Sequence, residues 1–187
     1  MSLRQPVSRE RIEGFLRWLG NHYRHPARLY LVGGTTVVYE GLRRQIMDID
    51  LAIEVSAGNH GELLTVLREA RDTFDINIEE AAPWDFIPLP AGYADRHQFV
   101  GRYGEVDVFH FDLYSMALSK IERGRKQDQL DVIALLKSDR LKWDRLQAMY
   151  IEILPLMEQK SLKQDSKDFT LNFSATETLW RQAGGLS

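Results

Sequence analysis

The sequence predicts an α+β fold: a mixed β-sheet flanked by helices, with C-terminal helices and a tail behind it. Three observations lead there. Some stretches place apolar residues at i, i+3, i+4 and i+7, and others alternate strictly at every second residue. The resulting order, α-β-α-β-α-β-β-β-α-α-α, lacks the strict βαβ alternation of a parallel sheet, so a single mixed sheet with helices packed against it is expected. The 187 residues, 44% of them hydrophobic, supply the core of one domain, or of one domain plus an extension.

Ser8 reads as an N-cap, and Ile12, Phe15, Leu16 and Leu19 then follow at helical spacing until Gly20 ends the pattern. Leu29-Tyr30-Leu31-Val32 is a short apolar run stopped by Gly33-Gly34, which predicts a buried strand. Thr35 to about Leu42 is expected to be helical. From Ile46 to Val55 the period is two: Asp48, Asp50 and Ala52 share one face and Ile49, Leu51 and Ile53 the other.

A helix over His60 to about Thr73 buries Leu63, Leu64, Leu67 and Ala70, and Phe74–Glu79 alternates as a strand. Pro83, Pro88, Pro90 and Gly92 make 81–93 mostly loop. Strands are expected over His97–Tyr103 and Glu105–Phe111, joined at Gly104, followed by helices over Leu113 to about Arg123 and Asp128–Lys137. Trp143, Leu146, Met149, Tyr150, Ile153, Leu154 and Met157 mark a last long helix. Beyond Glu158 the rhythm fades. We therefore divide the chain into a domain at 1–158 and a tail at 159–187. Phe169, Leu171, Phe173, Leu179 and Trp180 make that tail too apolar for a solvated linker, so it is expected to dock on its own body or on a partner.

Composition narrows the function. With no cysteine, disulfides, thiolate zinc sites and cysteine nucleophiles are excluded. A net charge of −3 gives no global basic field for nucleic acid, although a local patch stays open. The N-terminus has no apolar h-region, and no run approaches the ~18 apolar residues of a membrane helix. The expectation is a cytoplasmic protein with no membrane partner.

Asp48-Ile49-Asp50 is the sharpest feature. Two carboxylates on one strand face repel, and a divalent cation removes that cost. Oxygen-only ligands favour Mg²⁺, completed by substrate phosphates, with Mn²⁺ as the alternative. Gly33-Gly34 closes one strand and opens a helix, where bare backbone N–H groups can approach an anion; a tight turn explains it equally well. Asp107 is a carboxylate in an apolar strand, where an unpaired charge is costly. It reads as a third metal ligand or as one half of a salt bridge, with Glu105 as the alternative ligand. Lys120 falls on the apolar stripe of its helix, so it needs either a phosphate or an ion pair with Asp128 or Asp131.

Other residues read more plainly. His97 and His110 form no ligand pair. Trp84 and Tyr93 could stack on a base, but lining the loop's own small core is the commoner role for such aromatics. Arg123, Arg125 and Lys126 could meet an RNA backbone or simply end a helix.

Leu31-Val32-Gly33-Gly34, then thirteen residues (35–47), then Asp48-Ile49-Asp50-Leu51 resembles the signature of the DNA-polymerase-beta-like nucleotidyltransferase superfamily. Here Gly stands where many members have Ser, so a serine contact to phosphate is lost, and Thr35 is the replacement at hand. The run from Asp112 to Lys120, with Arg123, Asp128 and Asp131 after it, is similar to the helical part of small bacterial nucleotidyltransferases, including AbiEii-like toxins. The Trp84–Pro90 segment, with Tyr93 and Arg96, is similar to related uncharacterised proteins. The resemblance covers roughly 28–137 and leaves out the tail.

The resemblance implies transfer of a nucleoside monophosphate from an NTP to a hydroxyl, releasing pyrophosphate, under two-metal Mg²⁺ catalysis. Asp48, Asp50 and Asp107 would hold the metals, with Asp107 also a candidate base. Gly33, Gly34, Thr35 and Lys120 would contact the nucleotide, with Asp128 and Asp131 positioning Lys120. The acceptor could be tRNA, another protein or a small molecule. A toxin–antitoxin role with an antitoxin-like partner, or a homo-oligomer, is implied too. The rival readings are a weakly catalytic binding protein on the same fold, a metal-dependent glycosyltransferase and a nuclease.

Overall fold

The computed structural model describes residues 5–160 and 166–185. It forms two compact units, one built from residues up to Ala82 together with Gln98–Phe111, the other from Pro83–His97 and the chain from Asp112 onward.

The first unit carries the sheet. Its elements are α1 (Arg9–His22), β1 (Ala27–Leu31), α2 (Gly33–Tyr39), β2 (Asp48–Val55), α3 (His60–Phe74), β3 (Asn77–Glu80), β4 (Gln98–Tyr103) and β5 (Val106–His110). The strand order is β3-β2-β1-β5-β4. β1 lies antiparallel to β2 and parallel to β5, and β2 runs parallel to β3, so the sheet is mixed as expected. Leu29, Leu31, Ile49, Leu51, Val106 and Val108 point to one face and pack against the apolar stripes of α1 and α3. Each such buried aliphatic side chain contributes about 1.5–3 kcal/mol. The opposite face holds Asp48, Asp50, Glu54, Arg28, Tyr30 and Asp107, by the period of two.

Two boundaries differ from expectation for identifiable reasons. Gly20 does not end α1, which continues to His22. A Cβ at Gly20 would sit 2.5 Å from the carbonyl carbon of Tyr103, so the glycine serves a close helix–strand approach. The α3 helix runs on through Phe74, whose ring meets Trp18 edge-on, and stops at Asp75 in the left-handed region; β3 therefore begins only at Asn77.

The second unit is helical: α4 (Leu113–Arg123), α5 (Lys126–Lys137), α6 (Trp143–Lys160) and α7 (Ser166–Gln182). Short 3₁₀ turns at Pro83–Asp85 and Tyr93–Arg96 punctuate the Pro-rich loop. Asp112 caps α4, accepting from the backbone N–H of Tyr114 and Ser115 and from the Ser115 hydroxyl. Arg96 grips the same carboxylate with two bonds of 2.9 and 2.8 Å, which fastens the loop to the helix start.

Within 159–187, residues 166–182 form a regular helix that packs against α4, α5 and α6 of its own unit. Phe169, Phe173 and Thr176 are its buried residues. Phe173 stacks on Tyr150 with ring centroids 3.9 Å apart. No helix among the described residues is long and apolar enough to cross a membrane.

Candidate functional site

Strand β2 delivers Asp48 and Asp50 to the end of the sheet where β1 gives way to the Gly33-Gly34 turn. The backbone holds Asp50 twice. Its N–H donates to the Thr35 hydroxyl at 2.8 Å, and its carbonyl accepts from the Val32 N–H at 3.3 Å. Gly33 stands at φ +57°, and a Cβ there would lie 2.5 Å from Oδ2 of Asp50. The first glycine thus gives room to a carboxylate. Thr35 is fully buried, with its hydroxyl engaged by the Asp50 N–H. Thr36 donates to the Leu31 carbonyl at 2.8 Å and meets Nδ1 of His110 at 3.3 Å. His110 is buried, with Nε2 2.8 Å from Glu40. It pins α2 against β5, and His97 accepts from the Asp112 N–H at 3.1 Å.

Asp48 is held from the other side. Asn77 on β3 donates from Nδ2 to Asp48 and to Glu79, both at 2.9 Å, and its side-chain Oδ1 accepts from Arg71 at 2.8 Å. The register places Asp48 opposite Asn77 and Asp50 opposite Glu79, so Glu79 shares the face of the pair. Asn77 and Glu79 are the site neighbours that motif reasoning missed. Their alternation on β3 was the available signal, but nothing in the sequence said that β3 pairs with β2.

Asp107 is not brought to this pair. It lies opposite Arg28, whereas Asp50 sits level with Val32, four residues further along β1. At ~3.3 Å per residue and ~4.8 Å per strand, Asp107 is about 16 Å from Asp50. Metals in a two-metal site are only ~3.5–4 Å apart, so no shared cluster spans that gap. Arg102 instead binds Asp107 with two bonds of 2.6 and 2.8 Å. Those bonds, with Arg28 adding its charge, hold the Asp107 carboxyl below the ordinary carboxylate range. A carboxylate so stabilised is a poorer base. Asp107 and Glu105 line an open cleft of about 600 Å³ with Arg28, Glu54 and Arg102. Among the described residues, no three His, Asp or Glu side chains already converge on a cation position.

In the helical unit, Lys120 takes the ion-pair arrangement. It is 2% exposed, and its ammonium donates to Asp128 at 2.9 Å and to Asp131 at 2.8 Å. Arg123 adds a bond of 2.8 Å to Asp128 and lies over the Phe86 ring, while Gln127 donates to Asp131. Trp84 is 42% exposed, and Tyr93 meets His97 edge-on.

A family model matches residues 11–181, from within α1 to the last turn of α7. The chain belongs to the family described as a nucleotidyltransferase of unknown function, DUF6036. No curated protein and no solved structure matches it. Membership bears out the resemblance drawn from the Gly33-Gly34 and Asp48-x-Asp50 spacing. It also takes in both units, including α7, which the motifs left uncovered.

Proposed function

We propose that this member of the family transfers a nucleoside monophosphate from an NTP to a hydroxyl acceptor, with release of pyrophosphate, at the Asp48–Asp50 end of the sheet. One observation carries the reading. The Gly33-Gly34-Thr35 turn and Asn77 together hold two same-face carboxylates beside bare backbone, an arrangement costly to build unless a cation and an anion are to be bound there.

The donor set fits Mg²⁺, with Mn²⁺ as the substitute: Asp48 and Asp50 offer hard oxygens, and a magnesium site needs only one or two carboxylates plus substrate phosphates and water. When bound, the ion would polarise the phosphoryl oxygens and lower the pKa of the acceptor hydroxyl. The chain's own residues position it. Gly33 leaves room for the Asp50 carboxylate, Thr35 holds the Asp50 backbone and Asn77 orients Asp48; the backbone of Gly33 and Gly34 would border the triphosphate. In this reading Asp107 belongs to the Arg102 pair. Its separation from Asp50 favours a second reading, a nucleotide-binding protein with weak turnover. The acceptor classes remain tRNA, protein or small molecule, in the cytoplasm. The AbiEii-like resemblance supports a place in a toxin–antitoxin pair, and a homo-oligomer is the alternative assembly.

Thermal unfolding with each of the four NTPs, with and without Mg²⁺, tests the site. At ~100 times Kd, a ligand adds about 2.7 kcal/mol, a visible rise in midpoint. That rise should require Mg²⁺ and disappear in Asp50→Asn. Transfer of label from an α-³²P-NTP to total RNA or protein then separates the readings: transfer lost in Asp50→Asn supports catalysis, and binding without transfer supports the second reading. No shift with any nucleotide sinks both.

A further inference from the structure

We propose that Arg71, in the last turn of α3, is a positioning residue for the metal site: it acts through Asn77 to orient the Asp48 carboxylate. The inference rests on the nucleotidyl-transfer reading and adds the group, outside the two motif strands, that sets the affinity for the cation.

Arg71 acts on β3 twice. Its carbonyl accepts from the N–H of Asp75, which stands in the left-handed region, and from the N–H of Ile76 at 3.1 Å. The backbone therefore fixes the turn that leads into β3. Its guanidinium then reaches forward and donates to Oδ1 of Asn77 at 2.8 Å. A guanidinium carries only donors, so the side of the amide that faces it must be the oxygen. That choice turns Nδ2 away, to donate to Oδ1 of Asp48 and Oε1 of Glu79, both at 2.9 Å. Ionised carboxylates only accept, so the reversed amide would set oxygen against oxygen and face its NH₂ to a cation. Arg71 thus selects one of the two orientations of Asn77. Arg71, Asn77 and Asp48 are all half-buried, where hydrogen bonds are less weakened by water than at the open surface.

The intervening amide decides what this chain does to Asp48. Asp107 shows the effect of direct contact, since Arg102 takes both of its oxygens. At Asp48 the arginine stays one side chain away, and the neutral amide engages Oδ1. Such a contact orients the carboxylate without a fixed positive charge competing for it. Loss of an outer hydrogen bond of this kind typically costs about 10–100-fold in metal affinity.

The test is a Mg²⁺ titration of the full chain at a fixed concentration of each NTP, read by the thermal unfolding midpoint. It compares wild type, Arg71→Met, Arg71→Lys, Asn77→Ala and the double variant carrying both Arg71→Met and Asn77→Ala. Arg71→Met should raise the Mg²⁺ needed for half of the nucleotide-induced rise by about tenfold. The full rise should return at saturating Mg²⁺. Arg71→Lys keeps a donor and should fall between wild type and Arg71→Met. Asn77→Ala should raise the Mg²⁺ requirement as well, and adding Arg71→Met to it should raise it no further, because the contact runs through the amide. A merely structural role would lower the midpoint without ligand and leave the Mg²⁺ requirement at the wild-type value. That result overturns the proposal, and so does an additive effect in the double variant. Should Arg71→Met not fold, Asn77→Ala decides: a wild-type Mg²⁺ requirement there overturns the proposal and leaves the transfer reading standing. Absence of any Mg²⁺-dependent rise in wild type overturns both.

Discussion

Gly33 carries a constraint that few other residue types meet. Its φ of +57° costs an L-residue about 1–2 kcal/mol, and any Cβ would collide with the Asp50 carboxylate, whose Oδ2 lies 2.5 Å from that position. Gly33→Ala should therefore lose about 1–2 kcal/mol in urea unfolding and should also lose Mg²⁺-dependent nucleotide stabilisation, because Asp50 must move. A Gly33→Ala protein that keeps the full nucleotide-induced rise would show that the Asp50 position does not matter. This part of the site was legible because it is local: a glycine turn and two alternating carboxylates are written within eighteen residues, Gly33 to Asp50. Asp107 was not legible in the same way. Its strand period was read correctly, but period does not encode which strand lies next to which, nor at what register. With β1 between β2 and β5, four residues of offset separate Asp107 from the pair. Glu79 is the mirror case, a carboxylate with no motif that register alone sets beside Asp50.

At the scale of elements, α7 shows how a helix escapes notice. Phe169, Phe173 and Thr176 fall at i, i+4 and i+7, but a threonine in the third place breaks an apolar count even though it is fully buried. Its hydroxyl donates to the Asn172 carbonyl one turn back, which removes the cost of burial. Asn172 in turn donates to the Glu122 carbonyl at 3.0 Å at the end of α4, where Gly124 takes a left-handed φ. Beside this junction, burial pushes the Glu122 carboxyl above its ordinary value; Arg123 opposes the shift and Asp168 of α7 adds to it. A raised folded-state pKa favours the protonated form on folding. The stabilisation is therefore complete below the ordinary value of 4.5 and is lost as pH rises through the raised value. At neutral pH the charged Glu122 opposes folding. Glu122→Gln should raise the unfolding midpoint at pH 7, and its advantage over wild type should shrink as the pH falls towards 4.5. An advantage independent of pH would remove the carboxyl as its cause.

For the whole molecule, the chain divides its chemistry between two units that are not contiguous in sequence. It leaves the sheet unit after Ala82, returns at Gln98 to add β4 and β5, and leaves again after Phe111. The acidic pair and its glycine turn belong to the sheet unit, whereas Lys120 belongs to the helical one. This assignment makes the two readings of Lys120 separable by measurement. Lys120 and Arg123 face Asp128 and Asp131, two cations against two anions, with the lysine 2% exposed. Removing one partner of a buried ion pair leaves uncompensated charge and costs about 3–5 kcal/mol. Lys120→Met fills similar volume but leaves two buried carboxylates facing Arg123 as their one remaining cation in this cluster, so it should lose about that much stability in urea unfolding without nucleotide. Asp50→Asn, at a half-buried strand end, should lose far less. If Lys120 acted chiefly on phosphate, the ranking would reverse in kind: Lys120→Met would keep its unliganded stability and lose nucleotide binding. That outcome would return Lys120 to the nucleotide site. The expected one makes it the ionic link between α4 and α5, on which the helical half of the family's common unit is built.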